Sequence, residues 1–302
     1  MPKAEQVLGR QPRASCIIRA HRVEARHGRT PAEAAELARL AAGSDAVTGV
    51  GFSFRRLPGL AAIAQAVAEG QIGEVYSVRA WYYADYAADP QSALSWRYDQ
   101  ELSGGGAVLD IGAHAIDAAQ FVAGPIETVL DAQLRTVIAQ RPKPAAGGIG
   151  HHAAVTDETG PVTNDDVAVI TAQFENGAVG TVTLNRIAYG MPNSLGVEVY
   201  GTNGHALFDS IAGGQFHVFT ADAADRATNG PRRVFTSPAH PYFVDVAPMP
   251  GGGVGTGYGE AFVAEVQEFV RCVRDDKPMD TVFATAESMM RIVGAAIAAS
   301  GS

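Results

Sequence analysis

The spacing of apolar residues predicts alternating helices and strands at the start of the chain. Residues 30–42 repeat alanine and leucine every three or four positions behind a Thr-Pro pair, which predicts a helix with Thr30 as its N-cap. Residues 46–54 form a short apolar run typical of a buried strand, and residues 58–70 begin with proline and predict a second helix. Residues 74–86 are rich in aromatic and β-branched side chains, which predicts another strand.

Beyond residue 124, alternation with a period of two predicts a series of strands. Two pairs of them are joined by Asn176-Gly177 and Asn203-Gly204, which are typical of hairpin turns. Residues 139–163 are rich in glycine, proline and alanine and are predicted to form a loop. The predicted strands span 128–138, 167–174, 178–185, 196–200, 206–209, 216–220 and 233–235, and helices follow at about 262–270 and 284–299.

This order of elements predicts an α/β layer followed by an α+β part. The later strands would form a large, mostly antiparallel open sheet with helices on one face. The second face would leave apolar residues such as Leu184 and Val199 uncovered. We therefore expect a homo-oligomer in which that face is buried.

A glycine run at residues 104–106 precedes three ionisable side chains at helical spacing. Asp110, His114 and Asp117 stand at i, i+4 and i+7, so one helix running to about Ala123 would carry all three on one face. The N-terminus of that helix would favour a carboxylate and an oxygen-rich ligand. A carboxylate one turn from an imidazole orients the ring and raises its pKa, which suits a general base near neutral pH.

Other interpretations fit the same residues. In the structural alternative Asp110 caps the first turn, His114 is a core histidine and Asp117 is a solvated surface charge. A metal-dependent hydrolase or isomerase is a third interpretation, but a metal site needs more ligands than these three, so we predict no metal. The adjacent His151 and His152 lie in the predicted loop, where such pairs are usually solvated.

Composition argues against several kinds of partner. The net charge of −9 and the pI near 5.3 disfavour binding to nucleic acid or to anionic membrane surfaces. No apolar run approaches the ~20 residues that a membrane span needs. Cys16 and Cys272 have neither disulfide nor metal-site spacing, which suits a reducing cytoplasm. Residues 1–29 are arginine-rich and aperiodic, which is typical of a disordered tail or a weakly docked arm.

Seven segments together resemble the glucose-fructose oxidoreductase, inositol dehydrogenase and rhizopine-catabolism (Gfo/Idh/MocA) family of NAD(P)-dependent dehydrogenases. The resemblance extends from about Thr30 to the end of the chain, and it is specific only when the segments are taken in combination. They are Val50-Gly-Phe-Ser-Phe-Arg55, Gly70-Gln-Ile-Gly73, Trp96-Arg97, Gly104-Gly-Gly-Ala-Val-Leu-Asp-Ile-Gly-Ala-His-Ala-Ile-Asp117, Phe174-Glu-Asn-Gly-Ala-Val-Gly-Thr181, Tyr200-Gly-Thr-Asn-Gly204 and Gly257-Tyr-Gly-Glu-Ala-Phe262.

The resemblance implies an N-terminal Rossmann domain that binds NAD or NADP, and a C-terminal α/β domain whose open sheet forms a dimer interface. It also implies hydride transfer to or from a carbon of a sugar or cyclitol. In such enzymes the residues that match Asp110 and His114 lie beside the reacting hydroxyl, with the histidine as acid or base. In these enzymes the arginines that match Arg55 and Arg97 lie near the cofactor or the substrate cleft. The predicted residues of the cleft are Arg55, Trp96, Arg97 and Asp117.

The sequence departs from the family at its N-terminus. No Gly-x-Gly-x-x-Gly occurs anywhere in the chain, and no strand immediately before residues 251–259 would aim a pyrophosphate at the helix that follows them. The family's Glu-Lys-Pro motif corresponds to residues 24–26, where Glu24 is retained and Ala25 stands in place of the lysine. Residues 1–29 are too few for a βαβ unit, which takes ~30 residues.

We therefore predict that the chain consists of two parts of different origin. Residues 1–56 are interpreted as an incomplete Rossmann-like remnant, with 1–29 aberrant or disordered through truncation or a change of reading frame, and 57–302 as a substrate and dimerisation domain. The predicted function is NAD(P)-dependent oxidation of a sugar or cyclitol hydroxyl, impaired or inactive in this chain alone because the phosphate turn and the lysine are missing. The alternative is a non-catalytic sugar-binding or dimerisation module. In both cases the expected ligand is a small sugar or polyol.

Overall fold

An eight-stranded sheet forms the centre of the fold in the computed structural model, which describes residues 28–145, 153–221, 229–247 and 249–301. Two further strands, β3 and β4, pair with each other in a separate hairpin. The strands are β1 (Val75–Ala84), β2 (Ile126–Arg135), β3 (Gln140–Pro144), β4 (Val155–Pro161), β5 (Val167–Phe174), β6 (Val179–Asn185), β7 (Asn193–Gly201), β8 (Gly204–Asp209), β9 (Gln215–Thr220) and β10 (Arg232–Phe235).

The sheet is mixed, but most of its strands run antiparallel. Its order is β10-β9-β8-β7-β1-β6-β5-β2. Strands β1 and β6 are parallel, and the other neighbouring pairs are antiparallel. In this register Trp81 on β1 lies opposite Thr183 on β6 and Gly196 on β7. The predicted large, mostly antiparallel sheet is confirmed.

Helices surround one face of this sheet. The first one begins as predicted, because the Thr30 side chain accepts a hydrogen bond from the backbone N–H of Glu33 at 3.2 Å. Short 3-10 helices lie at Ser53–Arg56, Trp96–Tyr98 and Ser210–Ala212. The α-helices are α1 (Pro31–Ala42), α2 (Pro58–Ala68), α3 (Gln100–Ser103), α4 (Ala107–Asp110), α5 (Gly112–Ala123), α6 (Phe243–Val246), α7 (Tyr258–Asp275) and α8 (Phe283–Ala299).

Helix α5 lies directly on the sheet and contacts β1, β6 and β7. This contact needs a glycine at the start of the helix, because a Cβ at Gly112 would lie 2.7 Å from a methyl group of Leu184. Ile116 on the helix and Leu184 on the sheet are fully buried in the main core. The N-terminal turn of α5 is therefore held in a fixed position against the strands.

The other face of the sheet differs from its prediction. Leu184 and Val199 are fully buried beneath the helices, so the expectation that they lie uncovered is wrong: the strand register places them on the covered face. The open face instead carries an ion pair between Arg79 and Glu198, with 2.7 Å between Nη2 and Oε2. It also carries exposed Val169 on β5.

Two predictions of local structure were wrong. Residues 46–54 form no strand; they end in the 3-10 helix Ser53–Arg56, and Phe54 packs on the ring of Tyr258 at the start of α7. The apolar run marks burial, and burial here comes from helix packing rather than strand pairing. The predicted loop 139–163 contains the hairpin β3–β4, whose mostly exposed strands have no apolar alternation. His151 and His152 lie outside the described residues.

Over residues 28–56 the structure contains α1 and one 3-10 helix but no strand. The interpretation of residues 1–56 as a Rossmann-like remnant therefore stays a prediction, as does the division at residue 57. Within the described ranges, every helix is too short or too polar to cross a bilayer.

Candidate functional site

The glycine run leads into two short helices rather than one continuous helix. Helix α4 ends at Asp110, Ile111 interrupts it, and α5 begins at Gly112. The N-terminus of α4 is capped by Asp165, whose carboxylate accepts hydrogen bonds from the N–H groups of Gly106 (2.9 Å) and Val108 (2.8 Å). The capping role that the sequence allowed for Asp110 therefore belongs to Asp165.

Asp110 instead contacts residues on two other segments. The Tyr86 hydroxyl donates a hydrogen bond to Asp110 Oδ2 at 2.5 Å, and Arg97 Nε lies 3.9 Å from the same oxygen. Burial raises the pKa of Tyr86 well above its usual value, and the Asp110 charge raises it further, so the phenol keeps its proton and acts as donor. Arg97 also lies over the ring of the exposed Trp96, 4.6 Å from its centroid.

His114 lies among aromatic rings. Its ring centroid is 5.5 Å from that of Phe54, 6.2 Å from that of Tyr82 and 6.3 Å from that of Phe52. Burial lowers the pKa of His114 to about 4, although the Asp110 charge acts to raise it. The expectation that the carboxylate would dominate and raise this pKa is wrong, because burial among these rings outweighs the charge of Asp110.

The imidazole is thus neutral at pH 7. Within the described residues its Nδ1 atom is buried and has no hydrogen-bond partner, and no hydrogen bond joins His114 to Asp110. A buried polar atom without a partner costs free energy unless a ligand or water satisfies it. A neutral imidazole beside a carboxylate can accept a proton or a hydrogen bond from a hydroxyl group.

Asp117 does not join Asp110 and His114. It is buried and paired with Arg55, whose Nε and Nη2 atoms donate to its two carboxylate oxygens at 2.8 and 2.5 Å. Burial raises the pKa of Asp117, and the Arg55 charge opposes that shift. The alternative of a solvated surface charge is wrong. The structure brings together Asp110, His114, Arg97 and Trp96, whereas Arg55 and Asp117 form a separate buried pair.

A buried polar network supports the backbone that carries Arg97. Two guanidinium groups, those of Arg141 and Arg186, lie 4.2 and 4.8 Å from the ring centroid of Tyr98. Arg186 is paired with Asp166 at 2.9 Å and donates to the carbonyl oxygen of Arg97 at 3.3 Å. These contacts fix the 3-10 helix Trp96–Tyr98 at the edge of the site.

Sequence reasoning missed Tyr86, Asp165 and Arg186. The run Asn164-Asp-Asp166 before a buried strand was a usable signal, because three consecutive polar residues at such a place need internal partners. Tyr86 carried no such signal: it follows β1 and its phenol reaches a carboxylate that is 24 positions later. Only the tertiary structure brings that pair together.

The glycine-rich start of helix α7 does not fit the phosphates of a dinucleotide. Helix α7 begins at Tyr258 within residues 251–259, and the N–H of its N-cap, Gly257, donates to the carboxylate of Glu260 at 2.9 Å. A pyrophosphate at this helix end would meet the negative charge of that carboxylate. Within the ranges that the structure describes, no three His, Cys, Asp or Glu side chains cluster as metal ligands would.

Comparisons with known proteins agree on one family. The GFO/IDH/MocA C-terminal domain matches residues 60–207. Levoglucosan dehydrogenase from Pseudarthrobacter phenanthrenivorans is 37% identical over 238 residues, which cover 78% of this chain and 60% of that protein. The chain thus spans about 60% of the length of this curated relative.

Solved structures give the same result. The apo form of levoglucosan dehydrogenase superposes with a TM-score of 0.83 and 33% identity, covering 90% of this chain and 69% of that one. The oxidoreductase domain protein from Kribbella flavida superposes with a TM-score of 0.81 and 35% identity, covering 90% and 70% of the two chains. Levoglucosan dehydrogenase has also been solved with NADH, and with NADH and levoglucosan. By sequence and by fold, the chain belongs to the Gfo/Idh/MocA family of oxidoreductases.

Proposed function

We propose that this chain carries the substrate-binding side of a sugar or cyclitol dehydrogenase site. The observation that carries the proposal is the neutral imidazole of His114, half-buried among aromatic rings one turn from a carboxylate that a tyrosine holds. Relatives in the family are levoglucosan dehydrogenases, and one structure of that enzyme holds L-sorbose with NADH. The proposed ligand is therefore a small sugar or polyol.

Each residue of the proposed site has a separate role. The neutral imidazole of His114 accepts the proton of the reacting hydroxyl, and the nearby Asp110 charge stabilises the imidazolium that forms. Asp110 accepts a hydrogen bond from a sugar hydroxyl, and Arg97 donates to a sugar oxygen from the same side. The exposed ring of Trp96 offers an apolar surface to the C–H groups of the sugar.

In the family a nicotinamide dinucleotide, NAD or NADP, supplies the hydride acceptor. We propose that this chain alone binds the dinucleotide weakly, and that its dehydrogenase activity is impaired or absent. Support comes from the absence of Gly-x-Gly-x-x-Gly in the sequence and from Glu260, which occupies the N-terminus of α7. The same observations favour a second candidate function, a sugar-binding or dimerisation module without redox chemistry.

We further propose that the chain forms a homo-oligomer through the open face of its sheet. Support comes from Val169 and Val179, two exposed apolar side chains on that face, which also carries the ion pair Arg79–Glu198. Exposed apolar groups with polar groups around them are typical of an interface between folded subunits. The cytoplasm is the compartment we propose, from the spacing of Cys16 and Cys272 alone, which suits neither a disulfide framework nor a metal site.

Saturation-transfer NMR with levoglucosan, L-sorbose and myo-inositol tests the main proposal without any cofactor. We expect transfer to at least one sugar in the wild-type chain and a loss of at least tenfold in affinity for Asp110→Asn. Asp131→Asn, an exposed carboxylate on β2, is the matched control and should bind as the wild type does. Absence of transfer to all three sugars would overturn the proposal.

A further inference from the structure

Tyr86 lies between two hydrophobic clusters of the fold. It follows strand β1 by two residues and packs against both the main hydrophobic core and a smaller cluster formed by Ala87, Tyr98 and Val162. The next residue is fixed as well, because the Ala87 N–H donates to the carbonyl oxygen of Arg186 at 3.2 Å. The backbone at Tyr86 is therefore fixed, and so is the position of the phenol.

The hydroxyl of Tyr86 reaches one specific oxygen of Asp110. It donates to Oδ2 at 2.5 Å, a length typical of hydrogen bonds from a hydroxyl to a carboxylate. Arg97 Nε approaches the same oxygen but remains at 3.9 Å, beyond hydrogen-bond distance. Among the described residues, Tyr86 is thus the hydrogen-bond donor that holds this carboxylate.

The second oxygen of Asp110 remains free. Within the described part of the chain, Oδ1 accepts no hydrogen bond, and one third of the Asp110 side chain is exposed. An ionised carboxylate has about four acceptor positions, and those that Tyr86 leaves can accept from an incoming hydroxyl. A carboxylate with one oxygen fixed and one oxygen free is oriented for a single direction of approach.

We propose that Tyr86 is a positioning residue, which fixes Oδ2 of Asp110 and thereby presents Oδ1 to one hydroxyl of a bound sugar. This inference rests on the proposed sugar-binding function. It assigns the orientation of the bound sugar to a residue that need not contact the sugar itself. The elevated pKa of Tyr86 agrees with this role, because the phenol keeps its proton at neutral pH and remains a donor.

The first experiment tests the hydrogen bond without any sugar. In the full chain with ¹³C-labelled tyrosine, the Cζ resonance of Tyr86 reports whether its hydroxyl donates to a carboxylate. We expect Asp110→Asn to shift this resonance and the exposed control Asp131→Asn to leave it unchanged. An unchanged resonance in Asp110→Asn would overturn the inference. This measurement needs no substitution at Tyr86, so it remains decisive where Tyr86→Phe fails to fold.

The second experiment is a double-mutant cycle on the affinity for levoglucosan, measured by calorimetry. We expect Tyr86→Phe to weaken binding about tenfold in the wild-type background and less than about twofold in the Asp110→Asn background. The matched control is Tyr83→Phe. Tyr83 lies on the open face of the sheet, opposite to the face that helix α5 covers, so this change should not alter the affinity. A role in packing alone would give the same loss in both backgrounds and would overturn the inference.

The two proposals fail in different ways. A wild-type chain that binds levoglucosan, with unchanged affinity in Tyr86→Phe, would overturn the positioning role and leave the proposed function intact. A wild-type chain that binds none of levoglucosan, L-sorbose or myo-inositol would overturn the proposed function, and with it the role of Tyr86 in orienting a sugar.

Discussion

Phe54 packs its ring against the imidazole of His114, with 5.5 Å between the ring centroids and 62° between the ring planes. The same phenylalanine contacts Tyr258 at 5.5 Å, so it lies between the histidine and the first turn of helix α7. This edge-on contact keeps water from the imidazole and makes its charged form unfavourable. Phe54 therefore contributes to the burial that lowers the pKa of His114, although it lies far away in sequence.

Phe54→Ala should raise the pKa of His114 from about 4 by at least one unit, toward the ordinary value of 6.5, because water then reaches the ring. The substitution should also cost about 3 kcal/mol or more of stability, as large-to-small changes in a core do. An NMR titration of the imidazole Cε1–H measures the pKa. Phe235→Ala, at a half-exposed phenylalanine, is the control, and an unmoved His114 titration in Phe54→Ala would contradict the prediction.

The stability of the protein should fall as the pH is lowered from about 6.5 to about 4. In this window the unfolded state binds a proton on His114, whose ordinary pKa is 6.5, and the folded state does not. The contribution of His114 is therefore fully present above pH 6.5, and its loss by pH 4 costs about 3 kcal/mol.

Urea denaturation of the wild type and of His114→Gln at pH 7.5 and pH 4.5 isolates this contribution from that of the carboxylates. The variant should lose less stability between the two pH values. His217→Gln, on strand β9, should behave as the wild type does. Equal losses in His114→Gln and in the wild type would rule out a depressed pKa.

Removal of one partner of the buried pair Arg55–Asp117 should be strongly destabilising. Asp117→Asn leaves the Arg55 guanidinium buried without its counter-charge, which typically costs 3–5 kcal/mol. Chemical denaturation gives the free energy of unfolding. Glu36→Gln breaks the exposed pair with Arg39 and should leave that free energy unchanged within error. A mild effect of Asp117→Asn together with lost sugar binding would instead place Asp117 in the cleft.

The isolated chain should bind NADH only with a dissociation constant in the millimolar range or weaker. The sequence has no Gly-x-Gly-x-x-Gly turn, and the Glu260 carboxylate lies at the glycine-rich helix start within residues 251–259, which is the candidate to replace it. Nucleotide fluorescence titration measures the affinity. A micromolar dissociation constant would contradict the prediction, and its loss on deletion of a glycine in residues 251–259 would locate a substitute site there.

Sedimentation should detect a dimer or a larger assembly at tens of micromolar protein. Val169→Glu places a charge on the open face of the sheet and should shift the population toward monomer, because a buried unpaired carboxylate opposes association. Val263→Glu makes the same change at an exposed position on helix α7 and serves as control. A wild-type chain that sediments as a monomer would refute the proposed interface.

The strands of the sheet and the start of helix α1 could be predicted from the sequence, because each depends on local signals. Thr30 and Pro31 mark a helix start, and the Asn176-Gly177 turn separates two alternating segments. The hairpin β3–β4 could not be predicted, because Arg141 holds it by contacts with distant carbonyl oxygens rather than by apolar alternation.

The candidate site could be predicted only in part. Spacing placed Asp110 and His114 near each other, but it also grouped them with Asp117, which the ion pair with Arg55 sets apart. The direction of the His114 pKa shift could not be predicted, since it depends on rings brought from residues 52–54 and 82. Burial by distant residues is a property of the fold and leaves no trace in helical periodicity.

Arg141 and Arg186, whose guanidinium groups lie over Tyr98, connect the hairpin β3–β4 to the site. Arg141 extends from the hairpin to the carbonyl oxygens of Ala87 and Asp89, at 2.5 and 2.7 Å, and Arg186 connects the same ring to the backbone of Arg97. A displacement of the hairpin therefore moves the loop after Tyr86 and the segment that carries Arg97 together. The position of this hairpin and the position of Arg97 are therefore coupled, so a molecule that binds the hairpin should also change the affinity of the proposed site for a sugar.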